Sequence, residues 1–286
     1  MQRRFHQLDV FSAQPLKGNP LAVVHAAEGL SDAAMAAFAR WTNLSETTFL
    51  LPPSDAAAAA ADYRVRIFTP GGELPFAGHP TLGSCAAWLA AGGVPKQAGV
   101  VVQECGVGLV RIRRDGTRLA FAAPPLKRTG PLDEALLARI AAGIGVAREA
   151  LVQHQWVDNG PGWCAVMLPS AAEVLAVKPD WARLGAIKLG LVAPQPAGAD
   201  TQFEVRAFVP TLGVPEDPVT GSLNAGLAQW LIGAGFAPPA YVAAQGAALG
   251  RAGRVHVQHD GSDCWIGGDV AFCIEGTVAL PSTMGA

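Results

Sequence analysis

From Tyr63 to Ile67 apolar residues alternate with Arg64 and Arg66, a period of two that predicts a half-buried strand. A Pro/Gly-rich turn, TPGGELPFAG, follows, and a helix opens at Gly78–Thr81 with Leu82, Cys85, Trp88 and Leu89 as its apolar positions. Much of this returns from Phe203 to Trp230. Pro70 and Pro210 are 210 − 70 = 140 positions apart, and Val65/Val205 and Phe68/Phe208 keep that spacing. The second helix is marked by Leu223, Leu227, Trp230 and Leu231. One strand–turn–helix unit is used twice.

The remaining elements repeat in the same order. Residues 5–11 and 20–25 read as strands, Ser31 as the N-cap of a helix through about Trp41, and Thr47–Leu51 as an apolar strand. Strands near 100–102, 108–113 and 119–122 follow, then a proline-containing linker over 124–131. After a junction helix, 132–144, strands near Gln155 and 164–168 parallel the opening pair. Ser170 starts a helix as Ser31 does, and RVHVQHDG at 254–261 answers RIRRDG at 111–116. Both principal helices are apolar nearly all round and must be covered all round, which a sheet curled about each one achieves. The expectation is an α+β chain of two barrel-like domains, each wrapped on a central helix, with a cleft between them. The first covers 1–128 and is completed by a C-terminal strand in 276–286; the second covers 129–275.

Composition narrows the function. Half of the 286 residues are hydrophobic and 15% are charged, with a net charge of −2. That leaves no clustered basic surface for nucleic acid. No apolar run is long enough to span a bilayer, and no secretory signal is visible at the N-terminus. Five scattered cysteines without CxxC predict reduced thiols in the cytoplasm. No metal-ligand spacing and no nucleotide-binding glycine motif is present.

A duplicated scaffold keeps in both copies what packing requires, so polar positions that differ between copies are candidates for chemistry. Glu46 precedes a strand in the first half where Leu189 or a neighbour stands in the second. His79 opens the first helix, and Asp217-Pro218 precedes the second. Both helix starts, Gly78–Thr81 and Thr220–Ser222 with Gly221 between, offer backbone N–H groups suited to a small carboxylate. Each residue also has an ordinary reading. Glu46 suits an exposed turn and His79 a cap; Asp217 suits an N-cap with Pro218 at the first helical position; Thr220 and Ser222 suit capping as well.

The stretches DVFSAQPLKGNPLAVV (9–24), NLSETTFL (43–50), FTPGGELPFAGHPTLG (68–83), EDPVTGS (216–222) and QGAALGRAGRVHV (245–257) together resemble the PhzF family. These are the phenazine-biosynthesis isomerase-like proteins of the diaminopimelate epimerase fold. The resemblance implies a homodimer acting without a cofactor on a small, cyclic carboxylate such as trans-2,3-dihydro-3-hydroxyanthranilate. It implies that Glu46 is the acid/base moving a proton between substrate carbons. It also implies that His79 and Asp217 bind and polarise the substrate, with Gly78 and Ser222 in contact with it. One carboxylate suffices for a shift on a single face, because the group that removes the proton also returns it. The alternatives are an epimerase or racemase of the same fold and a non-catalytic binding protein. The epimerase uses two opposed thiols, and its first thiol would fall at Ala77 here, with none near 216–219.

Overall fold

The computed structural model describes residues 1–210 and 215–281, and the chain divides into two compact units. One unit holds Met1–Ala122 and Gly267–Ala286, the other Ala123–Ile266. In the first lie β1 (Gln2–Val10), β2 (Asn19–Val24), α1 (Asp32–Thr42), β3 (Glu46–Leu51), β4 (Tyr63–Thr69) and β5 (Gly72–Leu74). They are followed by α2 (Gly78–Ala90), β6 (Val100–Cys105), β7 (Gly108–Asp115) and β8 (Arg118–Ala122). The second contains α3 (Glu134–Ile144), β9 (Gln153–Trp156), β10 (Trp163–Met167), α4 (Ala171–Ala176), α5 (Trp181–Leu184) and β11 (Lys188–Pro194). After these come β12 (Phe203–Phe208), β13 (Glu216–Asp217), α6 (Gly221–Gly233), β14 (Ala240–Gln245) and β15 (Gly253–His259). The chain leaves the second unit within β16 (Cys264–Gly268), and β17 (Val270–Ala279) belongs to the first.

The duplication is visible in the strand pairing. In the first unit β1–β2, β2–β3, β3–β4, β4–β6 and β6–β7 pair antiparallel, parallel, antiparallel, parallel, antiparallel. In the second, β9–β10, β10–β11, β11–β12, β12–β14 and β14–β15 repeat that order. The first sheet curls until α2 touches β1, β2, β3, β6, β8 and β17. Each unit is therefore barrel-like around its helix, and the chain is α+β, as the hydrophobic pattern indicated.

Two glycines let the central helices pack this closely. A Cβ on Gly83 of α2 would stand 2.5 Å from Leu21 Cδ2, and one on Gly226 of α6 would stand 2.2 Å from the Val157 carbonyl oxygen. Outside each barrel an amphipathic helix covers the other sheet face. Met35 and Phe38 of α1 pack on Phe49 and Phe68, while Leu137, Ile140 and Ile144 of α3 pack on Val166, Leu189 and Leu191. Both sheets thus bury two faces, which accounts for β12 being buried at every position.

The unit boundaries differ from the expected 128/129 and 275/276. Strand β17 pairs with β1 from Val270 onward, so residues 270–275 join the first unit rather than the second. Of the expected closing segment 276–286, residues 282–286 lie outside those described. Among the described residues no helix is long and apolar enough to cross a membrane, and no group of three or more His, Cys, Asp or Glu is placed to hold a metal ion.

Candidate active site

In the first unit three sheet neighbours and a helix start converge. Glu46 begins β3 opposite Leu21 of β2, two positions after Asn19 opens that strand. Its backbone is fixed by Thr47 and Thr48. The Thr42 hydroxyl donates to the Ala39 carbonyl (3.0 Å), so Thr47 donates to Thr42 across 2.9 Å, and Thr48 accepts from Ser84 of α2 at 2.9 Å. Asn19 is delivered by a turn that places both Phe11 (φ 66°) and Leu16 (φ 67°) in the left-handed region. Asp9 Oδ2 clamps that turn by accepting from the Gly18 N–H at 2.8 Å. Strained backbone held this firmly is usual beside functional groups.

His79, the second residue of α2, meets both groups. Its Nε2 lies 3.3 Å from Glu46 Oε2, and the two side chains are only 5% and 14% exposed. Its Nδ1 lies 3.2 Å from Asn19 Nδ2. Nε2 is thus the ring nitrogen that faces Glu46, and Nδ1 is the one beside the Asn19 amide. Burial pulls the imidazole down to about 3, while the Pro20 backbone carbonyl pulls the other way. The 3.3 Å approach would count as an ion pair only with a charged ring; the burial makes it a neutral imidazole facing a carboxyl group. The surface-turn reading of Glu46 does not hold, since its side chain is mostly covered.

The second unit carries the other predicted residues. Arg206 holds Glu216 by two hydrogen bonds, 2.9 and 2.8 Å, and also donates to the Val174 and Val177 carbonyls. This buried pair anchors β13 and so fixes Asp217 beside it. Asp217 is not the N-cap: Thr220 occupies that position and Gly221 starts α6. The Thr220 hydroxyl donates to Asp217 Oδ2 at 2.7 Å instead of capping its own helix. Ser222 Oγ accepts from the Trp163 indole N–H at 3.0 Å, which leaves the hydroxyl hydrogen for a ligand. Asn159 Nδ2 holds the Ser222 carbonyl at 2.8 Å.

The two central helices start differently from the others. Ser31, Asp133, Ser170 and Asp180 cap α1, α3, α4 and α5 through their side chains, whereas Ala77 and Thr220 give α2 and α6 no side-chain cap. The first-turn N–H groups at Gly78–His79 and at Gly221–Ser222 are thereby offered as donors to an anion. Asn19, Asn159, Trp163 and Gln245 were not read from the sequence as site residues. The only local signal was at Asp158-Asn159-Gly160, where Asp158 Oδ1 accepts from the Gly160 and Gly162 N–H groups to form a tight turn.

The thiols are quiet. Burial pushes Cys85 and Cys164 up to about 12 and Cys264 up to about 11, and raises Cys105 and Cys273 as well. Cys85, Cys164 and Cys264 are packing residues; Cys105 and Cys273 are only half-buried.

Residues 8–276 match the family described as phenazine biosynthesis-like protein, PhzC-PhzF. The chain belongs to this family. It is 36% identical to "Antisense-enhancing sequence 1" of Schizosaccharomyces pombe, over 96% of this chain and 98% of that one. It is 34% identical to the trans-2,3-dihydro-3-hydroxyanthranilate isomerase of Pseudomonas aeruginosa, over 91% of each. A crystal structure of a PhzF-family phenazine biosynthesis protein from Enterococcus faecalis has the same fold, with a TM-score of 0.81 and 23% identity over 98% of this chain and 100% of that one. The PhzF-family resemblance and the α+β fold of this chain are thus both found, in a family with named isomerases among its members.

Proposed function

We propose that this chain is an isomerase that moves a proton between carbons of a small, cyclic carboxylate of the trans-2,3-dihydro-3-hydroxyanthranilate type. Glu46 is its single acid/base, and the reaction needs no cofactor. The observation that carries this reading is the Glu46 carboxyl group, 3.3 Å from Nε2 of a buried, neutral His79. A largely covered carboxyl group can take a proton from carbon and return it on the same face, and an imidazole that burial keeps neutral does not compete for that proton. The similarity to the Pseudomonas aeruginosa trans-2,3-dihydro-3-hydroxyanthranilate isomerase supports the substrate class.

The remaining roles follow from donor and acceptor chemistry. The N–H groups of Gly78, Gly221 and Ser222 and the Ser222 hydroxyl suit the substrate carboxylate; Asp217 suits its amino or hydroxyl groups. Thr220 holds Asp217 rather than substrate, because its hydroxyl hydrogen is already given to Oδ2. No observation favours the epimerase reading, since every thiol is pushed away from the thiolate. We read the working form as a homodimer, which sedimentation checks.

The test is incubation with trans-2,3-dihydro-3-hydroxyanthranilate in D2O, followed by NMR and mass spectrometry. Isomerised product carrying deuterium on carbon is expected. A protein that binds this compound, or other cyclic carboxylates found by thermal shift, yet catalyses no exchange or rearrangement contradicts the isomerase reading and favours a binding protein.

A further inference from the structure

Each unit buries a glutamine that controls a threonine hydroxyl at the start of its central helix. In the first, Tyr63 donates to Gln103 Oε1 at 2.8 Å, so the amide is oriented with Nε2 toward Thr81 Oγ1, 3.1 Å away. Thr81, accepting there, passes its own hydrogen to the Ala77 carbonyl at 2.9 Å. The chain of donors ends on backbone, and its work is structural.

In the second unit the same device ends elsewhere. Asn224 Nδ2 donates to Gln245 Oε1 at 2.8 Å and to the Thr220 carbonyl at 2.9 Å, and the Thr220 N–H donates to the same Oε1 at 3.1 Å. With Oε1 filled by donors, Gln245 must present Nε2 to the other side. There it donates to Thr220 Oγ1 at 3.0 Å and to the Asp217 carbonyl at 3.1 Å. A hydroxyl that accepts from an amide N–H has one hydrogen left to give, and here it goes to Asp217 Oδ2 at 2.7 Å. Asn224 and Gln245 are each 1% exposed and Thr220 is 5% exposed, so water does not compete for these groups. Every link has one direction.

We infer that Asn224, Gln245 and Thr220 are positioning residues for the reaction: a one-way donor relay that orients the Asp217 carboxylate toward substrate. The inference rests on the isomerase reading for the purpose of the relay, while the relay itself stands on geometry alone. It gives Asn224 a role and distinguishes the two halves. The pair that only staples a helix start in the first unit aims a functional carboxylate in the second.

Two readouts separate the relay from the reaction. In protein labelled with 13C-threonine, the Thr220 hydroxyl proton, assigned by its loss in Thr220→Val, should exchange with water at least about tenfold more slowly than exposed threonine hydroxyls. Gln245→Glu keeps the acceptors for Asn224 and the Thr220 N–H but removes the Nε2 donor; Gln245→Leu removes both. Either folded variant should bring the hydroxyl to the exposed rate. Wild-type exchange retained in both overturns the relay, whether or not any substrate is turned over. For the reaction, Thr220→Val should lower kcat/KM for trans-2,3-dihydro-3-hydroxyanthranilate by about tenfold to a hundredfold, and Thr220→Ser should restore most of it. Equal activity in the valine and serine variants overturns the positioning role. A wild-type protein with a slow hydroxyl but no turnover removes the isomerase reading and leaves the relay standing.

Discussion

Acidification from pH 7 to pH 5 should destabilise this protein, and one substitution should make the loss larger. His79 falls from 6.5 in the unfolded chain to about 3 on burial, and His25 falls to about 4 for the same reason, helped by His6. A group lowered on folding binds its proton more readily when unfolded, so stability is lost as pH drops below 6.5. Over the 1.5 units to pH 5 the cost is about 2 kcal/mol per histidine. Glu204 opposes this. It is 3% exposed, and desolvation raises it from 4.5 to about 7, although Gln195 donates to it. Its protonated form is favoured in the fold, so acidification over the same range returns about 2 kcal/mol. From these three groups the net loss in the wild type is about 2 kcal/mol, and Glu204→Gln, which cannot titrate, should lose about 4 kcal/mol over the same range; His6 and His154, also lowered by burial, add to the loss in both proteins. Arg66 holds Asp32 below the usual carboxylate range, and the Ser54 hydroxyl and N–H hold Glu104 there against its burial; both respond only at lower pH. Urea unfolding at pH 7, 6 and 5 reads these differences directly against typical domain stabilities. If Glu204→Gln loses no more than the wild type, the raised Glu204 carboxyl is refuted; if Glu204→Gln loses nothing at pH 5, the burial argument that keeps His79 neutral is refuted.

Two further outcomes follow from packing. Iodoacetamide at neutral pH should leave Cys85 and Cys164 unlabelled in the folded protein and should not abolish exchange activity, because burial holds both thiols near 12; inactivation by labelling would restore the thiol-based reading. Gly83→Ala should cost about 1–3 kcal/mol, since Leu21 can move aside, whereas Gly226→Ala presses on the Val157 carbonyl and should cost more. Urea midpoints rank the two, and the reverse order would contradict the close strand–helix approach assigned to α6.

The duplicated strand–turn–helix was legible because Val65/Val205, Phe68/Phe208 and the two proline turns keep one spacing. Caps at Ser31 and Ser170 were legible because capping is local. Within the site, Glu46 and His79 stood out as polar residues without a counterpart in the other copy. Their partner Asn19 did not, because its contact with His79 spans 60 residues and leaves no local pattern. Gln245, Asn159 and Trp163 were hidden for the same reason, reaching α6 from strands or turns 20 or more residues away. Asp217-Pro218 fits the helix-start rule, but β13 pairs Asp217 with Ala207 and moves the start of α6 on to Gly221. The return of a C-terminal strand to the first unit was expected from residue 276, but its start at Val270 was not, because where β17 begins to pair with β1 is a long-range choice that no local signal encodes.

The decisive measurement is deuterium incorporation from D2O into the carbon framework of trans-2,3-dihydro-3-hydroxyanthranilate by wild-type protein and by Glu46→Gln. The amide keeps the shape of the carboxyl group at 46 and removes its basicity. Incorporation should fall by about two to four orders of magnitude in a variant that unfolds at the same urea concentration as wild type. Incorporation at the wild-type rate would mean that another group carries the proton and that the carboxyl facing His79 is not the base.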